Sequence, residues 1–376
     1  MSINTIRRHD QFALLRFVMA SLLIVCHYVI LVGPIDTNLF PYKSFNRILN
    51  VYVTAGMQIG GKVPICFFVL SGLVAYRSYY TRIMDGWSFC QFIKKRFLRI
   101  YPLLFISVVF MTVTQWCWFY KYDEWWTGRV AAFWQVIVAL SGISVGTVIN
   151  VLDAVNGPIW YISVLLVCYS VFWCLCIKNN CRTGGDLFVV PILVGLAVQS
   201  YEIKLPFLNM SCATGYIGFF FGVILAKILQ KKRYNNTLLI FSKVLTTIMI
   251  FLVLIYRYRF FQIAMDKGES NWLCFLIMPI TIIFFDITRL RSLCSNCFFD
   301  YLGQLSFPMY LLHIPTFCLC VQVVQANKYY YWIMFGIVLV EAVLWESVFK
   351  EMVSERFKRM KLFEYNDCRE KNDSNC

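Results

Sequence analysis

Histidine is nearly missing from this chain, with three in 376 residues, and charge is scarce, with Asp, Glu, Lys and Arg at 15%. A soluble domain is about a quarter charged and about half apolar. The shortage of charge, beside 60% hydrophobic residues, excludes a soluble globular fold. Acidic residues are the scarcer sign, 20 against 35 basic, giving a net charge of +15. That excess does not mark a nucleic-acid binder. The lysines and arginines gather at the ends of apolar runs, the pattern that orients membrane spans and needs no polyanionic partner. No A-x-A-like cleavage site follows the first apolar run, which is therefore expected to remain as a span, with Arg7-Arg8 as an orientation signal. No soluble domain and no internal repeat can be found. The longest polar pieces are an external loop at 34–58 and a charged cytoplasmic tail at 351–376, leaving 1–350 as one membrane domain.

What is present is apolar sequence in membrane-length runs of about 20 residues. Candidate spans fall at 11–33, 59–80, 99–119, 130–150, 158–177, 186–201, 210–229, 238–256, 271–287, 301–324 and 329–349. Six basic clusters test them: Arg7/Arg8, Arg77–Arg99, Lys178/Arg182, Lys227–Arg233, Arg289/Arg291 and Lys350–Lys361. If all face the cytoplasm, two spans must separate each neighbouring pair, yet three lie between the second cluster and the third. The repair is that 130–150, with Ser141, Gly142, Ser144, Gly146 and Thr147, is re-entrant or partial. The expected fold is then an all-α polytopic membrane protein with about ten transmembrane helices, one re-entrant segment and both termini cytoplasmic. Arg257 and Arg259 fall outside in this scheme.

Cysteine is plentiful at 16, but most of it sits within apolar runs, where it serves as a small hydrophobe. Cys294-x-x-Cys297 has metal-like spacing with no second pair or histidine close by, so no metal site is expected.

Arg16 and His27 are the polar exceptions in the first run, Phe12 to Val32. Positions i and i+11 share one helix face, ~16 Å apart. An arginine and an imidazole in such a segment are expensive and point to a polar path entering the membrane. Other segments carry a bland reading and a functional one. Phe67-Phe68-Val69-Leu70-Ser71-Gly72 is a small-residue packing notch or a source of one hydroxyl at Ser71. Arg96 and Arg99, at i and i+3, are surface anchors or a clamp on phosphate, which arginine's fork suits. Trp160 and Tyr161, in Gly157-Pro158-Ile159-Trp160-Tyr161-Ile162-Ser163, read as interfacial belt residues, with a cavity wall as the other reading of Trp160. Ser306, Tyr310 and His313 share a face at i, i+4 and i+7, either as satisfied structural groups or as the lining of a polar cavity.

Taken in order, Arg16-x10-His27, the Ser71 segment, Arg96-x-x-Arg99-x-Tyr101-Pro102, the Trp160 segment and Leu305-Ser306 to His313 resemble the acyltransferase-3 family of integral membrane acyltransferases, over about residues 10–350. The resemblance implies transfer of an acyl group, usually acetyl, from cytoplasmic acyl-CoA to a hydroxyl of an envelope carbohydrate or glycan. It makes His27 the essential histidine, Arg16 its partner arginine, and Arg96 and Arg99 the paired arginines of the cytoplasmic side, in the cytoplasmic (inner) membrane of a prokaryotic cell. Acyl-CoA enters as donor substrate, and no bound cofactor is implied. One departure matters. Family members that modify surface polysaccharides often carry a glutamate shortly after the tryptophan, whereas Trp160 is followed by Tyr-Ile-Ser-Val-Leu-Leu. The hydrolase-like domain that some relatives append is also missing, so this chain is expected to complete the transfer alone.

Two other readings stay open at this point. A multi-span transporter of a small polar or glycan-related solute would also bury Arg and His, although proton-coupled carriers more often place acids in their spans, and Glu341 and Asp286 are the main ones here. A membrane scaffold is the other. The partners expected from the sequence are acyl-CoA, a glycan acceptor and the lipid bilayer, with no nucleic acid; oligomeric state does not follow from it.

Overall fold

The computed structural model describes residues 10–126, 128, 131–151, 155–180, 186–231, 273–287 and 296–349. Candidate span 238–256, Arg257, Arg259, Cys294 and the tail 351–376 lie outside them. In hydrocarbon no water is available to backbone N–H and C=O groups, so apolar chain closes those bonds within helices. Among the described residues there is accordingly no β-strand.

The helices are α1 (Ala13–Leu31), α2 (Lys43–Ile59), α3 (Val63–Met84), α4 (Phe89–Tyr122), α5 (Phe133–Ser141), α6 (Ile159–Asn180), α7 (Val189–Ser200) and α8 (Met210–Lys231). They are followed by α9 (Met278–Ile287), α10 (Cys297–Val323) and α11 (Tyr330–Leu344). Among the described residues seven segments are long and apolar enough to cross a membrane: α1, the continuous α2–α3, α4, α6, α8, α10 and α11 with its extension. The chain is a multi-pass membrane protein.

Contacts along the helices give their relative directions. Gly303 packs on Ala13, while His313 meets His27 and Phe317 meets Tyr28, so α1 and α10 run the same way. Gln322 of α10 donates to the Thr114 carbonyl of α4 at 3.0 Å, which puts the end of α4 beside the end of α10. α3, α6 and α8 run back. Tyr79 and Tyr169, late in α3 and α6, cover Arg96 early in α4, and Trp173 Nε1 donates to the Trp87 carbonyl at 3.2 Å. One end of the bundle therefore holds Arg16, Arg96 and Asp300, and the other holds Lys62, Trp160 and the start of α8.

α4 ends and α6 begins at the Lys62 end, with α5 between them. At nine residues α5 is ~14 Å long and cannot cross ~30 Å of hydrocarbon. Residues 131–150 therefore hold no helix long enough to cross. α7 has only twelve residues, but Asp186 pairs with Lys227 at 2.7 Å and Gly195 packs on Ala213 and Ile217. The 186–201 segment therefore lies antiparallel along most of α8.

One expectation is corrected. Residues 34–58 are not a plain external loop, because Lys43–Ile59 is helical and crosses α1. Gly56 abuts Val25 and Leu22, and the Tyr52 hydroxyl donates to the Ser21 carbonyl at 3.2 Å. Asn46, Arg47, Asn50 and Thr54 dilute its apolar content, which hides the helix from a hydropathy reading. The basic run Lys94–Arg99 lies within α4, in keeping with its i, i+3 arginine spacing. Ser88 and Gln91 form a reciprocal capping box that starts α4 well before it.

The tightest seam is α3 on α8. A Cβ added to Gly72 would meet the Phe219 carbonyl, and one added to Gly222 the Val69 carbonyl. Gly218-x-x-x-Gly222 is the small-residue spacing that lets two membrane helices touch backbone to backbone.

Candidate active site

α1 and α10 lie parallel, and this brings together two histidines 286 positions apart in sequence. His27 Nδ1 and His313 Nε2 are 2.7 Å apart, with ring planes 10° from parallel. His313 is fully buried, and its Nδ1 lies 3.1 Å from the Met309 carbonyl oxygen. A carbonyl only accepts, so His313 Nδ1 carries a proton. In the neutral pair His313 Nε2 is then the acceptor and His27 Nδ1 the donor, which places the basic lone pair of His27 on Nε2. His27 is half-buried and lines a cavity of about 220 Å3 with Met111, Val155, Pro158, Trp160 and Ile314. The outer histidine faces the cavity while the inner one fixes its tautomer. Among the described residues no group of three or more His, Cys, Asp or Glu comes together. The pair is arranged for proton transfer, with one imidazole holding the tautomer of the other.

The turn before α6 supports this wall. Tyr310 donates its hydroxyl proton to the Pro158 carbonyl at 2.8 Å, and Asn156 Nδ2 donates to the Leu311 carbonyl at 3.4 Å. These two bonds tie residues 156–158 to the turn of α10 that carries His313. Ser306 donates to the Gly303 carbonyl of its own helix at 2.7 Å. The shared face of Ser306, Tyr310 and His313 thus delivers only His313 to His27. Ser71 lies elsewhere on the α3 side, with its Oγ 3.0 Å from the Tyr161 hydroxyl. Tyr161 is buried with its ring edge-on to Tyr310, centroids 5.7 Å apart. Sequence reasoning passed over Tyr161 and Asn156. A tyrosine at the start of a span looks like a belt residue, and the signal that it is buried was only its place beside Trp160 in the same short segment.

At the opposite end Arg16 pairs with Asp10 at 2.5 Å, and the Asp10 amide donates to Asp300 Oδ1 at 2.8 Å. Arg96 and Arg99 separate in character. Arg99 is exposed, whereas Arg96 is 6% exposed, with its guanidinium 4.0 Å from the Tyr79 ring centroid and 4.9 Å from that of Tyr169. Arg96 Nε and Nη2 are buried without a hydrogen-bond partner.

The arrangement is a helical bundle with a histidine pair on a cavity near one end and arginines at the other. No curated protein and no solved structure matches the chain. A model of the Acyltransferase domain family (acyltransferase-3) matches residues 10–349, nearly the whole chain, and the protein belongs to that family of membrane acyltransferases.

Proposed function

We propose that this acyltransferase takes an acyl group, acetyl in the first instance, from cytoplasmic acyl-CoA and places it on a hydroxyl of an envelope carbohydrate, in the cytoplasmic membrane. The observation that carries the reading is the His27–His313 pair, whose tautomers put a lone pair on His27 Nε2. Donor and acceptor approach from opposite ends. The basic end faces the cytoplasm by the positive-inside rule. There Arg99 and the buried Arg96 bind the donor's phosphates, with Arg16 further along the path. Ser71 and Tyr161 shape the space between the arginines and the histidines, and Trp160 walls the His27 cavity at the far end.

His27 Nε2 removes the proton of the acceptor hydroxyl as its oxygen attacks the thioester carbonyl. The tetrahedral adduct collapses, the C–S bond breaks and the imidazolium returns its proton to the departing thiolate, leaving the ester and CoA. General-base help of this kind is worth of order 10²–10⁴-fold. His313 accepts from Nδ1–H throughout, which holds the ring and stabilises the imidazolium.

The test is mass spectrometry of O-acyl groups on envelope glycans from cells carrying the wild type, His27→Ala or an empty vector. Acyl groups with the wild type, absent with His27→Ala at equal membrane abundance, support the proposal and identify the acceptor. Equal acylation by His27→Ala refutes the role of His27. Rapid acid quench adds one distinction, because an acyl-histidine that forms and decays at the turnover rate would replace direct attack by a two-step route.

A further inference from the structure

A second and larger cavity, of about 370 Å3, shares the Trp160 wall with the His27 cavity. Five pieces of the fold converge on it: the Gly60–Lys62 turn, the start of α3, α6, α7 and α8. They contribute Lys62, Trp160, Gln199, Ser211 and Thr214 over an apolar floor that includes Met210. Its depth in the bundle matches that of the histidines, since Gly60 abuts Leu22 and Cys26, the residue before His27. The volume lies at the lower end of the ~300–1,000 Å3 of small-molecule sites, and apolar walls with a few convergent polar groups are what such sites share.

The lining chemistry is specific. Trp160 offers an indole face. Thr214 donates its proton to the Met210 carbonyl at 2.9 Å and so presents acceptor lone pairs. Gln199 brings an amide and Ser211 a hydroxyl, both able to donate and accept. Lys62 is the one charged side chain among the described lining residues. The walls are also braced. Gly146, at φ +75°, lies so close to Trp160 that an added Cβ would stand 2.8 Å from the tryptophan Cβ. Its carbonyl accepts from Cys212 Sγ at 3.7 Å, and Asn209 Nδ2 donates to the Thr147 carbonyl at 2.9 Å. The partial segment after α4 thus clamps Trp160 and the start of α8 together, which fixes the cavity before any ligand arrives.

We propose that this cavity is the acceptor subsite and that it takes a pyranose ring bearing a carboxylate, a unit of an acidic glycan. The ring's C–H face lies on Trp160, its hydroxyls bond Gln199, Ser211 and Thr214, and its carboxylate meets the Lys62 ammonium. A hydroxyl then reaches past Trp160 into the His27 cavity. The word acceptor rests on the transferase reading above, while the binding of an acidic sugar does not.

The test is saturation-transfer NMR of methyl β-glucuronide and methyl β-glucoside with full-length protein in phosphatidylcholine nanodiscs. Wild type and His27→Ala should both bind the glucuronide, and bind it more tightly than the glucoside. Lys62→Gln should weaken the glucuronide roughly tenfold and leave the glucoside unchanged, since only the charge-assisted bond is lost. Thr214→Trp, which fills the cavity, should abolish both signals while helicity by circular dichroism stays at the wild-type level. No glucuronide signal from the wild type, equal binding by the filled variant, or a preference for the glucoside overturns the proposal. Loss of the glucuronide signal when phosphatidylglycerol replaces phosphatidylcholine assigns the cavity to a lipid headgroup and overturns it as well. Sugar binding without acyl transfer would leave the cavity standing and remove the transferase reading; transfer without sugar binding would do the reverse.

Discussion

Replacing His313 separates a residue that performs the chemistry from one that aims it. His313→Leu removes the acceptor 2.7 Å from His27 Nδ1 and leaves that N–H without its partner in a desolvated wall. Leaving a buried donor unsatisfied costs about 1–3 kcal/mol. If the loss is felt as His27 becomes imidazolium, turnover falls by roughly 10- to 100-fold, at about 1.4 kcal/mol per tenfold. His27→Ala removes the base itself and lowers turnover by about 10²–10⁴-fold. The double variant should be no slower than His27→Ala alone, because His313 has nothing left to orient. His313→Gln, whose amide oxygen can accept from Nδ1–H, should recover part of the loss. The assay is CoA release by purified protein in nanodiscs, with extracted envelope glycan as acceptor and donor KM measured in parallel. Donor KM should stay within about twofold of the wild type, since His313 lies at the far end from Arg96. Multiplying effects in the double variant, or His313→Gln as slow as His313→Leu, would refute the tautomer argument.

Three further outcomes follow from named contacts. Tyr161→Phe keeps the ring packing but removes the bond to Ser71, worth about 0.5–1.5 kcal/mol net; transfer should fall by up to about tenfold, Ser71→Ala should match it, and the double variant should add nothing. Gly72→Ala drives a methyl into the Phe219 carbonyl and should lower the melting midpoint, by an overpacking cost of about 1–3 kcal/mol, while Gly336→Ala, with nothing within 4 Å of an added Cβ, should leave it unchanged or raise it. Asp10→Asn breaks a half-exposed ion pair and should change stability by less than about 1 kcal/mol, yet donor KM should drop because Arg16 is released toward the donor.

Much of this architecture is visible in the chain because membranes leave few options. Arg16 and His27 stand out as the polar breaks in one apolar run, and a nine-residue α5 where three spans were one too many follows from counting basic clusters. What local periodicity cannot carry is pairing. His313 is readable as one member of a polar stripe, but its bond to His27 depends on the parallel packing of α1 and α10. The stripe itself misleads about Ser306. A helical serine without water returns its proton to a carbonyl one turn back, so its face says nothing about its partner. α2 escaped for the opposite reason, since its polar residues lower the mean hydropathy while Val53 and Gly56 still bury a narrow stripe against α1.

Arg96 offers the sharpest separation of function from stability. The residue is 6% exposed, its guanidinium held by two tyrosine faces with Nε and Nη2 lacking hydrogen-bond partners. Each cation–π contact returns about 0.5–2 kcal/mol. Burying an incompletely bonded charge costs several kcal/mol, so the tyrosines offset the penalty only in part. A side chain kept for the fold alone would be better as a hydrophobe of similar length. Arg96→Met should therefore leave the melting midpoint unchanged or raise it, gaining up to about 4 kcal/mol. The same change should raise donor KM by at least tenfold if two open N–H groups meet phosphate in the working state. Arg96→Lys should not rescue binding, because a single ammonium cannot reproduce the planar fork between the rings. Thermal unfolding and acyl-CoA binding measured on the same nanodisc preparation decide it. Destabilisation by Met with donor affinity intact would show that Arg96 holds α3, α4 and α6 together and binds nothing.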